Sequence, residues 1–270
     1  MNFLFWNLNK KPLERLVADL AELHNVDVLI LTECNISTQV MLQSLNSRDD
    51  RMFHRTQSER DKIVIYTRFS PEFLRPLFES SRLTIRRLRL PERDDDVLLA
   101  AVHLLDKGNS SDDSQRAASA ELASMILSVE KEVGHERTVL VGDFNMNPFE
   151  AGVVMATGFH AVMTRALAEG QRRIVQEREY PFFYNPMWGH FGDAGDGPPG
   201  TYYYPGAEHL VYFWNMFDQV LIRPALLSIF RNEELKILSA IGERSLVTTK
   251  ALPDKAVGSD HLPILFRLDL

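Results

Sequence analysis

The sequence predicts a mixed α/β fold, because short apolar runs suited to buried strands alternate with stretches of helical periodicity. Phe3-Leu4-Phe5-Trp6 is one such run, and residues 26–32 form another. Between them Leu13, Leu16, Val17, Leu20 and Leu23 recur at helical spacing. Residues 12–24 therefore read as an amphipathic helix with Pro12 in its first turn. The chain opens β-α-β, which puts Asn7 and Glu33 just past the C-terminal ends of two strands, where α/β folds usually bind ligands.

The later elements follow the same logic. Residues 38–45 read as a short helix, and residues 62–67, 82–90 and 97–105 as strands. Arg93-Asp94-Asp95-Asp96 supplies a polar hairpin loop between the last two. Residues 114–133 carry Ala117, Ala120, Leu122, Ala123, Ile126, Leu127 and Val129 on one stripe, a helix that Asp112 or Ser114 would cap. Residues 138–141 are a further buried strand running into Gly142-Asp143. From 184 to 206 glycine, proline and aromatic residues dominate, and residues 193–200 must be an irregular loop. Residues 217–222 and 262–268 read as the last core strands. With no internal repeat and no linker-like stretch, residues 1–270 are expected to form a single domain.

Composition narrows the functional classes. A chain of 270 residues that is 45% apolar has ample material for a core. Its net charge of -7 argues against broad electrostatic binding of nucleic acid but leaves room for a local basic track. A lone cysteine, Cys34, excludes an intramolecular disulfide and a Cys-rich zinc site, and its strand-end setting marks it as a packed thiol. The N-terminus places apolar residues before its lysines, the reverse of a secretory signal. No apolar stretch approaches the roughly 20 residues of a membrane span. A soluble, cytoplasmic protein is expected.

The chemistry gathers where apolar strands end. Asn7, Glu33, His103, Asp143, Asn145, Asp218, Asp260 and His261 all flank or interrupt such strands. A polar group there costs free energy unless it has a partner, so many of them from separate strands suggest one shared site. Four carboxylates brought together would repel one another, and a hard cation is the simplest compensation.

The order and wording of these segments resemble the endonuclease/exonuclease/phosphatase superfamily, the deoxyribonuclease I-like fold. The matching pieces are Trp6-Asn7, Leu31-Thr32-Glu33, Val102-His103-Leu104, Gly142-Asp143-Phe144-Asn145, Phe217-Asp218-Gln219-Val220 and Gly258-Ser259-Asp260-His261-Leu262-Pro263. Six pieces in family order, from Asn7 to Pro263, are far more specific than any one of them. The resemblance implies a four-layer sandwich in which two mixed β-sheets pack face to face with helices outside.

It also implies roles. Glu33 would be the main ligand of Mg²⁺, or of Mn²⁺ in its place, with Asn7 beside it and Asp260 near the metal or at a second metal position. Asp143 would orient or deprotonate the attacking water, or protonate the leaving oxygen. Asn145 and His103 would hydrogen-bond the phosphate. His261 would act as general base or stabilise the transition state, with Asp218 fixing its tautomer. The implied reaction is in-line displacement by water at phosphorus.

Two departures from the family pattern bear on substrate. Met216 stands where many relatives carry a basic residue, and His103 stands where the abasic-site endonucleases carry tyrosine, which disfavours that branch. Arg82, Arg86, Arg87, Arg89 and Arg93, and again Arg172, Arg173 and Arg178, are candidates to track a phosphate backbone. Tyr202, Tyr203, Tyr204, Tyr212, Phe213 and Trp214 are candidates to stack on bases, and His190 with the 193–200 loop to overhang the site. A phosphodiesterase for nucleic acid or nucleotides is the leading expectation. A hydrolase of an inositol phosphate, phospholipid head group or other small phosphate ester is the alternative, and a non-catalytic binding module the third.

Overall fold

A computed structural model describes residues 1–47, 52–91, 93–192, 195 and 197–270. Two mixed sheets pack face to face with helices outside them, the sandwich that the resemblance implied. The first sheet runs in the order Lys236–Ile237, Ile264–Arg267, Asn2–Asn7, Val28–Thr32, Ile63–Thr67, His54–Arg55. The second runs Leu74–Glu79, Leu83–Leu88, Val97–His103, Thr138–Asp143, Asp218–Ile222, Phe183–Tyr184, Ala161–Val162.

The central strands are apolar at nearly every position because both faces are covered. Alternation then assigns each side chain to a layer. In the second sheet Leu99, Ala101, Val139, Val141, Val220 and Ile222 join the core that also holds Phe3 and Phe5 of the first sheet. Their neighbours Leu98, Ala100, Val102, Leu140 and Leu221 turn the other way, onto Leu122 and Ile126 of the helix Asp112–Val133.

That long helix is capped by Ser111, whose hydroxyl accepts from the Ser114 amide at 3.2 Å, and not by Asp112 or Ser114 themselves. Gly134, at φ 80, ends it in the left-handed conformation that glycine takes without strain. The first helix is Glu14–Leu23, so Pro12 lies ahead of it rather than in its first turn. The helix expected at 38–45 is Thr38–Leu45, capped by the Ser37 hydroxyl. A buried ion pair between Arg223 and Glu130, at 2.9 Å, ties the long helix to the end of the strand Asp218–Ile222. Arg223 also donates to the carbonyls of Pro181 and Phe182 and lies 3.8 Å from the Phe183 ring centre.

Ile63–Thr67, Leu83–Leu88 and Val97–His103 are among the strands shorter than expected, and the longest of the strands that were not expected is Leu74–Glu79. It is an edge strand with Pro76 and a register shift beside it, and Arg75, Pro76 and Leu77 are exposed, so it lacks the apolar alternation of a buried strand. Cys34 is partly buried and burial raises its thiol pKa, in keeping with a packed side chain. No helix among the described residues is long and apolar enough to cross a membrane.

Candidate active site

Strand register builds the site. In the second sheet His103, Asp143 and Asp218 fall in one row, because His103 pairs with Asp143 on one side and Asp218 pairs with Asp143 on the other. In the first sheet Asn7 and Thr32 are paired at the ends of two parallel strands, with Glu33 the next residue. The last core strand runs antiparallel to Asn2–Asn7, so the residues before Ile264 arrive at the same edge and bring Asp260 and His261. Both sheets thus deliver their polar strand ends to one cleft of about 890 Å³, lined among others by Asn7, Glu33, Asp143, Asn145, Asp260 and His261.

Asp143 is buried and held from two sides. Its Oδ1 accepts from the Asn145 amide at 2.8 Å and its Oδ2 from the Asn7 side-chain amide at 2.9 Å. His103 Nε2 lies 3.9 Å from the same Oδ2 and 3.5 Å from Glu33 Oε1, bridging the two carboxylates. Burial pushes the Asp143 carboxyl up to about 6, aided by the Asp218 charge and opposed by His261 and His103. Glu33 goes the other way. The His103 hydrogen bond, and the charges of His103 and Lys10, hold it below the usual carboxylate range against the effect of burial. Glu33 and Asn145 both sit at positive φ, 47° and 49°, a sparsely populated conformation for residues other than glycine.

Asp218 and His261 form a second unit. His261 Nδ1 lies 2.8 Å from Asp218 Oδ2, both side chains buried. Burial pulls the imidazole pKa down. The Asp218 carboxylate, through charge and hydrogen bond, and the charges of Asp143 and Asp260 outweigh it and raise the value to about 10. The other Asp218 oxygen, Oδ1, is buried without a hydrogen-bond partner.

The dyad is fixed by groups from both inside and outside the motifs. Thr201 Oγ1 accepts from the Asp218 amide at 3.1 Å, and the Thr201 carbonyl accepts from Leu262 at 2.8 Å. Tyr202 bridges to His261 and packs its ring 4.8 Å from the imidazole. The Trp6 indole donates to the His261 carbonyl at 2.8 Å, and the Ser259 hydroxyl accepts the His261 amide at 3.2 Å. Trp6 and Ser259 belong to quoted motifs, whereas Thr201 lies in the glycine- and proline-rich stretch and had no signal of its own.

The donors suit a hard divalent cation. Glu33, Asp143 and Asp260 line the same cleft with carboxylate oxygen, and Glu33 and Asp260 keep 27% and 14% of their side chains in contact with solvent. Asn7 meets Asp143 with its amide nitrogen, while its Oδ1 accepts from the Asn9 amide at 2.9 Å. Asp143, Asp218 and His261 also offer ligand atoms within 4.8 Å of one another. In that cluster His261 and Asp218 are already paired with each other at 2.8 Å, whereas Glu33 stands on the open side of the cleft.

The basic runs do not line the cleft. Arg86 is buried against Glu79, Arg87 pairs with Asp96, and Arg172 pairs with Glu136 and Glu179. Arg86, Arg87 and Arg172 thus neutralise carboxylates of their own scaffold, which takes these three guanidinium groups out of the expected track for a phosphate backbone. Of the aromatic candidates, Tyr202, Tyr204 and Tyr212 line the cleft and Tyr203, Phe213 and Trp214 do not. His190 ends the turn Pro186–His190 away from the lining, and Asp193, Ala194 and Asp196 of the expected overhanging loop lie outside the described residues.

Comparison with known proteins bears on the fold and the family. Among solved structures the chain is similar to an AP endonuclease from Archaeoglobus fulgidus, at 14% identity and TM-score 0.57 over 100% of both chains. It is also similar to the human Nocturnin catalytic domain with bound sulfate anion, at 14% identity and TM-score 0.57 over 98% of this chain and 93% of that one. A third likeness is to the 3′ phosphatase NExo from Neisseria bound to a product DNA hairpin, at 16% identity and TM-score 0.54 over 100% of both chains. At these identities the likeness shows a shared fold. No curated protein matches the sequence. The sequence profile of the Endonuclease/Exonuclease/phosphatase family matches residues 4–261, and the chain belongs to that family.

Proposed function

We propose that the protein is a divalent-metal-dependent phosphodiesterase acting on nucleic acid or nucleotides. The observation that carries the reading is the convergence of Glu33, Asp143, Asn145, Asp260 and His261 on one cleft, with His103 against Glu33 and Asp143 and Asp218 paired to His261. The reaction is hydrolysis: a water oxygen bonds to phosphorus, the ester P–O bond opposite breaks, and the alcohol leaves with a proton. The DNA product held by the Neisseria phosphatase supports a nucleic-acid or nucleotide ester as substrate class.

Each residue's part follows from its position. Glu33 and Asp260, with Asn7 beside them, would hold Mg²⁺ or Mn²⁺, which when bound supplies Lewis-acid neutralisation of phosphate charge. Asp143, pinned by Asn7 and Asn145, orients the attacking water and takes its proton. Asp218 fixes Nδ1 of His261, which leaves Nε2 to face the reacting phosphate. Three carboxylates around the imidazole favour its charged form, suited to stabilising negative charge in the transition state. Asn145 and His103 hydrogen-bond non-bridging phosphate oxygens.

Phosphodiester hydrolysis should disappear with a chelator and return with Mg²⁺ or Mn²⁺. Glu33→Gln should raise the metal concentration needed for half-maximal rate at least about tenfold, since it removes one charged ligand while the fold is retained. Undiminished turnover by thoroughly chelated protein would refute the proposal.

A further inference from the structure

We infer that the enzyme acts on a nucleotide-sized ester whose base stacks on an aromatic shelf at the cleft mouth, and that a nucleic-acid strand does not run through the cleft. The inference rests on the phosphodiesterase reading above and narrows its substrate.

The shelf is Phe149 and Tyr212. Both rings line the cleft and are exposed, by 39% and 48%, and they meet edge to face at 5.2 Å. Phe149 is held by Trp188 and Phe191, each 6.2 Å from it, and those two lie 6.1 Å from each other. The shelf is therefore backed by other rings and pre-positioned, so a flat ring gains contact there with little ordering of side chains. It is also close in sequence to the reacting end, since Phe149 follows Asn145 by four residues on the turn after Asn147-Pro148.

Charge decides against a polymer. Beyond the inner site the lining carries four carboxylates, Asp106, Asp112, Glu150 and Glu208. The lysine among them, Lys107, is engaged by Glu150 and lies 3.5 Å from Asp112. No arginine is among the residues described as lining the cleft. A strand laid along this surface would bring its flanking phosphates against carboxylates, whereas strand binders line their grooves with cations. A single nucleotide unit avoids the conflict: its scissile phosphate lies at the inner end near His103 and His261, and its uncharged base reaches the rings. Stacking on a base then does the work that backbone cations do in strand-binding proteins.

The test uses the whole chain with Mg²⁺ and two substrates, a dinucleoside monophosphate and a single strand of about 20 nucleotides, longer than one binding groove spans. AMP and ribose 5-phosphate, which share phosphate and sugar and differ in the base, serve as competitors. The expected result is a higher kcat/KM for the dinucleotide, and competition by AMP that is about tenfold stronger than by ribose 5-phosphate, the scale of one stacked base. Phe149→Ala with Tyr212→Ala should bring AMP down to the level of ribose 5-phosphate; the comparison of competitors on unaltered protein stands without the variant. Equal competition by the two compounds overturns the inference. So does faster cleavage of the strand with binding that weakens steeply as salt rises, an outcome that leaves the phosphodiesterase reading intact. Hydrolysis of neither substrate removes that reading, and the inference with it.

Discussion

His261 reaches the cleft through one strong contact, the 2.8 Å pairing of its Nδ1 with Asp218, and through a frame of backbone bonds from Trp6, Ser259 and the Thr201–Tyr202 segment. If Asp218 acts through His261, the two residues form one unit. His261→Ala and Asp218→Ala should each lower turnover by about 10²-fold or more, and the double variant should lose little beyond the worse single one. Steady-state rates on a small diester, with folding checked by circular dichroism, would decide this; independent, multiplicative losses would separate the two roles. These residues were legible in the sequence because a carboxylate or imidazole at the end of a buried strand has few structural uses. Thr201 was not, since a hydroxyl in a glycine- and proline-rich stretch looks like any turn residue until the strand it bonds is in place. Arg86 and Arg87 misled for the converse reason. A strand with adjacent arginines reads as a basic surface, and only the fold reveals Glu79 and Asp96 beside them.

The strand Val97–His103 must lie in register with Thr138–Asp143 for His103 to stand opposite Asp143. Gly142 makes that approach possible. A Cβ on it would fall 2.0 Å from the Val102 carbonyl oxygen, a backbone atom that cannot turn away as a side chain could. Gly142→Ala should therefore destabilise the protein by about 1–3 kcal/mol, the usual cost of overpacking, and should lower turnover by displacing His103 and Asp143. Urea unfolding and kinetics on the same preparation test both halves; normal stability with normal turnover would show that the strands can part without consequence. Elements of this kind were readable to differing degrees. Long apolar runs identified the central strands within a few residues. The edge strand Leu74–Glu79 escaped because its side chains face solvent, and what makes it a strand is the ladder to Leu83–Leu88. Two-residue strands such as Ala161–Val162 and Phe183–Tyr184 are set by their partners and leave almost no periodic trace. The β-α-β opening needs no such help, since its helix and both strands bury apolar faces that the sequence displays.

Across the whole molecule the excess of acid over base is arranged, and the arrangement sets how the fold responds to pH. Asp96, with 5% of its side chain in contact with solvent, gathers Arg87 from one strand with His135 and Arg137 from the segment after the long helix. Burial alone would raise its pKa, but hydrogen bonds from Arg87 and Arg137 and the His135 charge outweigh burial and hold it below the ordinary carboxylate value. An acid whose pKa is lower folded than unfolded contributes stability that is fully present above its unfolded pKa of about 3.9 and is lost as pH falls through the folded value. His135 acts in the same direction. Its pKa is lowered by burial, so protonation favours the unfolded chain as pH falls below about 6.5. Through this cluster acidification should thus cost stability first below about pH 6.5 and more steeply below about pH 4. Asp96→Asn keeps the shape but discards the charge, and should cost about 1–3 kcal/mol near neutrality, the range for hydrogen bonds to charged groups. Once the native Asp96 is itself protonated that advantage is gone, so the gap between the two proteins should close as the solution is acidified. Urea midpoints measured from neutral pH down to about pH 4 and below follow the gap directly. A gap that stays constant over that range would mean that Asp96 supports the fold by shape alone and that its ionisation is not linked to folding.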